Sequence, residues 1–242
     1  MILPENNDSG VSRQGLVVAI DGPAGAGKST VASHLAKRFG LLNLETGAMY
    51  RALALKALRS GTAIHDADAV LQLTRTTHIT LEPGDGGNRV LLDGHEVTGE
   101  LRNAEVTAAA SHVSVHGPVR EWMVAAQRAL GNAAPSGVVM EGRDIGTVVF
   151  PQALVKIFLD ASVEARGDRR FTQQPTVADT KEALVREMQD RDTRDRSREQ
   201  SPLKPASDAF ILDTTGLSLD QVLARTEAVS YTHLTLPTKR IV

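Results

Sequence analysis

A glycine-rich stretch near the start of the chain contains the residues with the clearest chemistry. It fits the phosphate-binding pattern G-x-x-x-x-G-K-[ST], with Gly22, Gly27, Lys28 and Ser29 at the fixed positions. Glycines let backbone N–H groups turn inward around an anion, and the first turn of a following helix adds its own unpaired N–H groups. The pattern therefore predicts a loop that binds the phosphates of a nucleoside triphosphate.

The residues on either side support this interpretation. An apolar, strand-like run precedes the loop at 16–20, and apolar residues at helical spacing follow it. Lys28 would place a point charge against the outer phosphates, and the Ser29 hydroxyl would complete the coordination of a Mg²⁺ ion that bridges them. The alternative is an ordinary glycine-rich turn between a strand and a helix, which the flanking periodicity disfavours.

Two further groups of polar residues follow predicted strands. Arg143 and Asp144 come just after the strand at 137–141, where a guanidinium suits a phosphate oxygen and a carboxylate suits a sugar hydroxyl or an amine. Thr46 and Arg51 follow the strand at 41–45, so we expect them at the same sheet edge. The alternatives are a salt-bridged loop for the first group, and a helix cap with a surface arginine for the second.

A charged run at 186–198 contains five arginines and four acidic residues. Its net charge of +1 is too small for a phosphate-backbone stripe, so the run does not indicate RNA binding. At helical spacing Arg191, Asp195 and Arg198 share one face, which could bind a polar ligand. The remaining charges are expected to pair along the helix, Asp190 with Arg194 and Asp192 with Arg196. The alternative is a salt-bridged surface helix.

Another set of arginines, Arg166, Arg169 and Arg170, follows the strand at 154–160. An arginine-bearing cover over a phosphate loop would exclude water and neutralise charge on a transferring phosphoryl group. His112 and His116 are four residues apart on a predicted helix, but no further ligand accompanies them, so a zinc site is not expected.

Composition describes an ordinary globular protein. The 242 residues include 41% hydrophobic and 23% charged residues, with a net charge of −2, which does not indicate a nucleic-acid binder. Without cysteine, a disulfide framework and a thiolate metal site are excluded, and a cytoplasmic location is expected. We expect no membrane-spanning segment, a disordered leader over 1–15 and, by default, a monomer.

The order of elements predicts an α/β fold with a central five-stranded parallel sheet. Apolar runs at 16–20, 41–45, 137–141, 154–160 and 209–213 are predicted strands with helices between them, and the last three are typical of strands buried on both faces. Alternating residues over 78–98, interrupted by turn-rich segments, predict a small antiparallel meander. A closing helix is expected over 217–228. The threonine-rich segment from 229 to 242, broken by Pro237, is interpreted as a disordered or foreign tail without function.

Four of these segments together resemble bacterial cytidylate kinases, a family of P-loop nucleoside monophosphate kinases. The matching strings are I-D-G-P-A-G-A-G-K-S-T at 20–30, T-G-A-M-Y-R at 46–51, E-G-R-D-I-G-T-V-V-F-P at 141–151 and R-D-T-R-D-R at 191–196. The resemblance extends from about residue 16 to 228. It implies a single kinase domain of that span, with its core at 16–60 and 136–228, a nucleotide-monophosphate-binding region at about 61–131 that includes the meander, and a helical lid at about 164–190.

The family transfers the γ-phosphoryl group of MgATP to CMP or dCMP, so the resemblance implies ATP, Mg²⁺ and CMP or dCMP as ligands. The implied ATP-binding residues are Gly22, Pro23, Ala24, Gly25, Ala26, Gly27, Lys28, Ser29 and Thr30, with Ser29 on the metal. The implied CMP-binding residues are Thr46, Arg51, Ser111, Arg120, Arg143, Asp144, Arg191, Asp195 and Arg198. The implied catalytic residues are Lys28, Arg143, Arg166, Arg170 and Arg191, and two of these, Arg166 and Arg170, belong to the lid.

The chain departs from the family in a few places. Glu45 stands where the family more often has aspartate, the lid between Phe171 and Ala178 is short, and the segment after Ala228 matches nothing in the family. The chain lacks the N-K-x-D signature of guanine-specific GTPases. Another small-molecule or nucleoside monophosphate kinase and a non-catalytic nucleotide-binding regulator remain as alternatives.

Overall fold

The fold, described by a computed structural model for residues 15–84, 87–173 and 180–235, is built on a five-stranded parallel sheet. The strands of this sheet have the order β2-β6-β1-β7-β8. Their bounds are β1 Val17–Asp21, β2 Leu42–Glu45, β6 Val138–Gly142, β7 Val155–Asp160 and β8 Phe210–Asp213. The predicted fold class, a three-layer α/β fold with this sheet at its centre, is confirmed.

Eight helices surround the sheet in the described part of the chain. They are α1 Lys28–Phe39, α2 Thr46–Arg59, α3 Ala67–Thr74, α4 Ala104–Val113, α5 Gly117–Ala133, α6 Val163–Gln173, α7 Lys181–Ser197 and α8 Leu219–Thr235. None of them combines the length and apolar character that crossing a bilayer would need. Side chains of Asp66, Asn103 and Thr180 cap the N-termini of α3, α4 and α7, respectively, by accepting hydrogen bonds from backbone N–H groups of the first turn.

The sheet divides the hydrophobic core into two halves. Successive residues of β1 point to opposite faces, so Val17 and Ala19 belong to one cluster, and Val18 and Ile20 belong to the other. The first cluster is covered mainly by helices α2 to α5, and the second by α1 and α8. This double coverage explains why the central strands are apolar on both faces. Polar side chains at the strand ends are thereby left at the carboxyl edge of the sheet.

A second, antiparallel sheet has the strand order β3-β4-β5, with β3 at Ile79–Gly84, β4 at Gly87–Leu92 and β5 at His95–Glu96. It confirms the predicted meander. The side chain of Asn88 joins this sheet to the central one, because its Oδ1 accepts from Glu45 N at 2.9 Å and its Nδ2 donates to Asn43 O at 2.7 Å. The amide thus satisfies two backbone groups of the edge strand β2 that a neighbouring strand would otherwise bond.

The last helix is longer than the sequence predicts. The predicted closing helix ends at Ala228, whereas α8 continues to Thr235, so the interpretation of 229–235 as part of a disordered tail is wrong. Val229 and Leu234 pack against the second core cluster, and Ser230 is fully buried. Threonines lower helix propensity only slightly, and apolar burial outweighs that cost. The leader at 1–14, the lid segment at 174–179 and the tail at 236–242 lie outside the described residues, and the other domain boundaries stay predictions.

Candidate active site

The phosphate loop at 22–30 runs from the end of β1 into the first turn of α1, and it has the backbone shape that an anion cradle requires. At Gly22 φ is +147°, and a Cβ atom there would lie 2.0 Å from the carbonyl oxygen of Leu159, so a side chain cannot fit. Gly27 precedes α1 with φ +94° and open space around its Cα. No side chain caps α1, so the N–H groups of its first turn remain available to a ligand.

Lys28 lies within this loop and is 7% exposed. Its Nζ donates to the carbonyl oxygen of Pro23 at 2.7 Å, which holds the amine against the loop backbone. Burial and the nearby guanidinium of Arg143 lower the pKa of Lys28 below the ordinary lysine value. An anion in the loop would oppose both effects, because it offers the ammonium group a partner of opposite charge.

The loop forms one wall of a cavity of about 580 Å³. Cationic side chains from several regions line this cavity, together with apolar residues at one end contributed by α8 and the segment before it. The lining residues outside the loop are Val31, Glu45, Arg51, Arg102, Thr107, Arg169, Arg170, Arg191, Thr214, Leu217, Leu219 and Val222. We call this the donor cavity. Arg169 is fixed there, because it donates to the hydroxyl of Thr214 at 3.0 Å and to its carbonyl oxygen at 2.5 Å.

A second cavity of about 220 Å³ adjoins the loop on its other side. Its lining combines the loop with residues in or next to α2, α4, α5 and α7, at the ends of β2 and β6, and in the segment after β6. These residues are Ala24, Gly25, Lys28, Ser29, Glu45, Thr46, Gly47, Tyr50, Arg51, Ala110, Ser114, Arg120, Glu141, Gly142, Arg143, Asp144, Arg191, Asp195 and Arg198. We call this the acceptor cavity. Eight of the nine predicted CMP-binding residues line it.

Ser111 is the exception, but its position still indicates a ligand. It is 5% exposed, its two helical neighbours Ala110 and Ser114 line the acceptor cavity, and its Oγ is buried without a hydrogen-bond partner. Arg198 is similar, because its Nε and one of its terminal nitrogens are buried without partners. Unsatisfied buried polar atoms are costly in a folded protein, so their grouping here indicates atoms that a bound polar molecule would satisfy.

The two cavities share six residues: Gly25, Lys28, Ser29, Glu45, Arg51 and Arg191. Three of them, Lys28, Arg51 and Arg191, are cations. Burial, followed by Arg143, lowers the pKa of Arg191 to about 10. Arg51 and Arg143 pair with Glu45 and Asp195, whereas Lys28 and Arg191 form no ion pair with another described residue. These two leave positive charge at the junction, which favours a ligand with several negative charges.

Buried ion pairs fix the side chains of the acceptor cavity. Arg120 donates to Asp144 at 2.5 Å with both side chains almost fully buried, and its guanidinium carbon lies 5.7 Å from the centre of the Tyr50 ring. Arg143 donates through Nε to Asp195 at 2.9 Å. Burial opposes ionisation of Asp195, but neighbouring arginines, with Arg143 the strongest, outweigh it and lower its pKa.

The residues after β2 differ from the helix-cap interpretation considered above. Thr46 does not cap α2; its hydroxyl donates across the sheet to the carbonyl oxygen of Glu141 at 2.7 Å, because β2 and β6 are paired at this point. Arg51 is not a surface arginine: its side chain is 17% exposed and forms an ion pair with Glu45. Glu45 is long enough to reach a guanidinium one helical turn along α2.

Arg166 and Asp192 form a contact that the sequence spacing does not reveal. The nitrogens of Arg166 donate to the carbonyl oxygens of Ala161 at 2.9 Å and Ala24 at 3.1 Å, and to Asp192 at 2.6 Å. The predicted pairing of Asp192 with Arg196 is therefore wrong, because the neighbouring helix α6 offers a closer partner. Arg196 pairs instead with Asp160 at 3.5 Å. Arg166 is not among the residues that line either cavity, so it holds the loop against α7.

Sequence reasoning missed two buried carboxylates beside the loop. Glu141 lies at the end of β6, where burial and then Glu45 raise its pKa, and the hydroxyl of Ser29 forms a hydrogen bond with it. Asp21 accepts from Ile145 N and Gly146 N, both at 2.8 Å, and burial raises its pKa to about 6. A carboxylate at the end of a buried strand is a usable sequence signal for such a position, because the strand ends meet at the carboxyl edge of the sheet.

The histidines on α4 and beside it have structural surroundings. The ring of His112 contacts that of His65 edge to face, with centroids 4.6 Å apart, and His116 shares a hydrogen bond with the carbonyl oxygen of Ile64. Within residues 15–84, 87–173 and 180–235, no group of three or more histidine, aspartate or glutamate side chains has the arrangement of a metal site.

Comparison with known proteins gives one consistent result. The family model described as "Cytidylate kinase" matches residues 18–231. A cytidylate kinase of a Geobacillus strain (WCH70) is 49% identical over 88% of this chain and 95% of its own. The cytidylate kinases of Enterococcus faecalis and Geobacillus kaustophilus are 48% and 50% identical, over 88% and 86% of this chain and 94% and 93% of their own.

Proposed function

This chain belongs to the cytidylate kinase family, whose members are phosphotransferases, and we propose that it transfers the γ-phosphoryl group of ATP to CMP or dCMP. The products would be ADP and CDP or dCDP. The observation that carries the proposal is the junction of two cavities at Lys28, Ser29 and Arg191. One nucleotide in each cavity would place its phosphate groups at this junction, as in-line transfer requires.

The donor cavity suits ATP in both of its parts. Residues Gly22 to Thr30 would bind the phosphates, through backbone N–H groups and Lys28. The apolar end, formed by Leu217, Leu219 and Val222, would accept the base. Arg169 lies beside this end, held by Thr214, so its planar guanidinium can stack on a base.

The acceptor cavity suits a nucleoside monophosphate. Arg51 and Arg143 would bind its phosphate through their planar forks, and in doing so Arg51 would exchange the carboxylate of Glu45 for the ligand. The buried carboxylates Asp144 and Asp195 would accept hydrogen bonds from the sugar hydroxyls or the amino group of the base. The remaining members of the predicted site, Thr46, Ser111, Arg120, Arg191 and Arg198, would complete the polar lining.

The reaction needs little covalent help from the protein. At neutral pH the phosphate oxygen of CMP is already a competent nucleophile, so we propose no dedicated general base. Lys28, Arg143, Arg170 and Arg191 would neutralise charge on the transferring phosphoryl group and its neighbours. We assign Arg166 a positioning role, because its nitrogens are engaged with Ala161, Ala24 and Asp192.

The residues present fit a Mg²⁺ ion bound with ATP. The Ser29 hydroxyl and the Glu141 carboxylate form a hydrogen bond beside the loop. Glu45 is the residue of β2 that lies opposite Glu141 in the register of the two strands. Mg²⁺ is commonly held by one or two such protein ligands together with substrate phosphates and water. Ser29 and Glu141 would hold the ion, which when bound supplies positive charge to the transferring phosphoryl group.

A coupled assay of ADP release tests the proposal. With CMP, dCMP, UMP, AMP and shikimate offered as acceptors, we expect rapid release with CMP and dCMP and much slower release with AMP and shikimate. Preference for AMP or shikimate would indicate another kinase of the same fold. ATP binding without acceptor-dependent release would indicate a non-catalytic regulator, and the proposal would fail.

The family also suggests the cellular setting. We propose that the protein acts in the cytoplasm as a monomer, in pyrimidine nucleotide metabolism. Size-exclusion chromatography with light scattering tests the monomer, and a dimer at working concentration would contradict it.

A further inference from the structure

We infer that Arg102 is a catalytic residue, which contacts the transferred phosphoryl group from the acceptor side of the junction. The inference rests on the proposed function. Arg102 lies outside the loop, the lid and the predicted CMP-binding residues, yet it lines the donor cavity together with Lys28 and Ser29. It comes from the segment that leads into α4.

The backbone around Arg102 is fixed on both sides. Glu100 pairs with Arg59 at 2.6 Å, and Leu101 is 2% exposed in the first core cluster. On the other side the Asn103 side chain accepts from Val106 N at 2.7 Å and caps α4. With Leu101 turned into the core and Asn103 engaged in the cap, the exposed side chain of Arg102 is presented to the cavity from a defined position.

The side chain is also free to bind a ligand. Within the described ranges Arg102 forms no ion pair, whereas Arg51, Arg120, Arg143 and Arg166 all pair with carboxylates. Arg170 and Arg191 line the same cavity and likewise form no ion pair with another described residue. These cations come from three separate regions: the segment before α4, the lid helix α6, and α7.

The elements around Arg102 favour the phosphoryl group rather than the base as its ligand. Thr107, which lines the cavity beside it, lies on α4, and α4 packs in the same core cluster as α2, the helix that carries Arg51. The apolar residues proposed for the base belong to α8 and the segment before it, which pack in the other cluster. Arg102 therefore belongs to the end of the donor cavity nearest the acceptor.

During transfer, the bond between the γ-phosphorus and the bridging oxygen breaks, and its electron pair leaves with ADP. An oxygen of the CMP phosphate forms the new bond, so no further reactant or proton is required. A guanidinium from the acceptor region would bind the non-bridging oxygens of the γ-phosphoryl group as charge redistributes over them. Its contribution would be greater in the transition state than with ATP alone.

Kinetics of Arg102→Ala and Arg102→Lys test this role, with Arg75→Ala as the matched control. Arg75 is an exposed arginine of the same region, at the end of α3, and lines neither cavity. For R102A we expect kcat to fall about tenfold to hundredfold, with the KM values for ATP and CMP changed by less than about threefold. R102K should recover part of the loss, and R75A should match the wild type.

A second measurement tests the contact of Arg102 with the transferring state directly. The affinity of the protein for ADP, aluminium fluoride and CMP together, which imitate the transferring state, should fall in R102A by about the same factor as kcat. A kcat within twofold of the wild type, or a raised KM for ATP at unchanged kcat, would overturn the inference. If the wild type itself releases no ADP in the presence of CMP, the proposed function fails, and the inference fails with it.

Discussion

The donor and acceptor cavities are built in different ways. The phosphate loop of the donor cavity is one continuous segment, whose backbone N–H groups and glycines make the site. The acceptor cavity takes its polar side chains from α2, α4, α5, α7 and the segment after β6, and buried ion pairs hold them in place. A site made from a local backbone shape is defined by sequence spacing, whereas a site made from distant side chains depends on the whole fold.

This difference predicts different consequences of substitution. In the donor loop, a change of side chain should remove chemistry and leave the fold largely intact. In the acceptor cavity, groups that we propose to bind CMP are also buried ion-pair partners, so one change should affect both substrate binding and stability.

The largest effect is expected for Lys28→Ala, which removes the lysine that lines both cavities at their junction. Loss of its charge from the transferring phosphoryl group should lower kcat by about a thousandfold or more, roughly 4 kcal/mol of transition-state stabilisation. The measurement is CMP-dependent ADP release at saturating ATP and CMP.

The thermal unfolding midpoint of K28A serves as its control. Removing a buried amine whose pKa is lowered by burial should not destabilise the protein strongly. Near-normal turnover would contradict the assigned role of Lys28, and loss of folding would contradict the proposed separation between chemistry and stability in the loop.

The acceptor cavity is tested by Arg120→Leu. Without Arg120, the Asp144 carboxylate, whose side chain is 7% exposed, loses its ion-pair partner. We expect the free energy of unfolding to fall by about 3 kcal/mol, since an unpaired buried charge is costly, and the KM for CMP to rise. Urea denaturation measures the first effect, and steady-state kinetics the second.

The double variant Arg120→Leu, Asp144→Leu separates the two roles of the pair. Replacing both partners removes the unpaired charge, so stability should recover largely while CMP binding stays weak. Recovery of both properties would show that the pair serves the fold alone. Recovery of neither would show that Asp144 has further contacts that matter.

The two cavities also differ in how much of each could be predicted from the sequence. The loop could be predicted physically from Gly22, Gly27, Lys28 and Ser29, because their spacing encodes the backbone shape itself. The acceptor residues follow mainly from a resemblance to known kinases. Spacing alone left Thr46 open to interpretation as a helix cap and Arg51 to interpretation as a surface arginine. Only the pairing of β2 with β6 shows that Thr46 binds the carbonyl oxygen of Glu141.

The features that sequence missed depend on contacts between distant elements. From the sequence, Arg166 is predicted as a lid arginine that binds a ligand. In the structure its nitrogens instead donate hydrogen bonds to Ala161, Ala24 and Asp192. Glu141 and Arg102 are of common residue types in ordinary positions, and only the cavity that they line sets them apart. In each of these cases the role of the side chain depends on which distant residues or cavity it contacts. A local sequence pattern does not predict such contacts.

The pH dependence of kcat/KM for ATP gives a smaller test of the donor cavity. Burial and Arg143 lower the pKa of Lys28 in the free protein, and the protonated form is the one that binds phosphate. As the pH rises through this lowered pKa, kcat/KM should fall by about tenfold per pH unit. At saturating ATP, kcat should hold to higher pH, because bound phosphate raises the lysine pKa again.

Lys28→Arg is the matched variant for this profile, since a guanidinium keeps its charge over the whole range. The variant should be slower but should lack the early alkaline decline. A wild-type profile that stays level up to the ordinary lysine pKa of 10.5 would contradict the lowered pKa. Circular dichroism at each pH checks that the protein remains folded.

The smallest effect is expected far from both cavities, at the end of α8. Truncation after Ala228 removes Val229 and Leu234 from the second core cluster and the buried Ser230. The lost apolar burial should cost on the order of 2 kcal/mol of unfolding free energy, measured by urea denaturation. Activity at low temperature should be unchanged, because the α8 residues that line the donor cavity, Leu219 and Val222, are retained.

Truncation after Thr235 is the control, because it keeps the whole of α8 and should leave stability unchanged. If the two truncations are equally stable, residues 229–235 add nothing to the fold. If the shorter protein loses activity at a temperature at which it is still folded, the end of α8 contributes to the site as well.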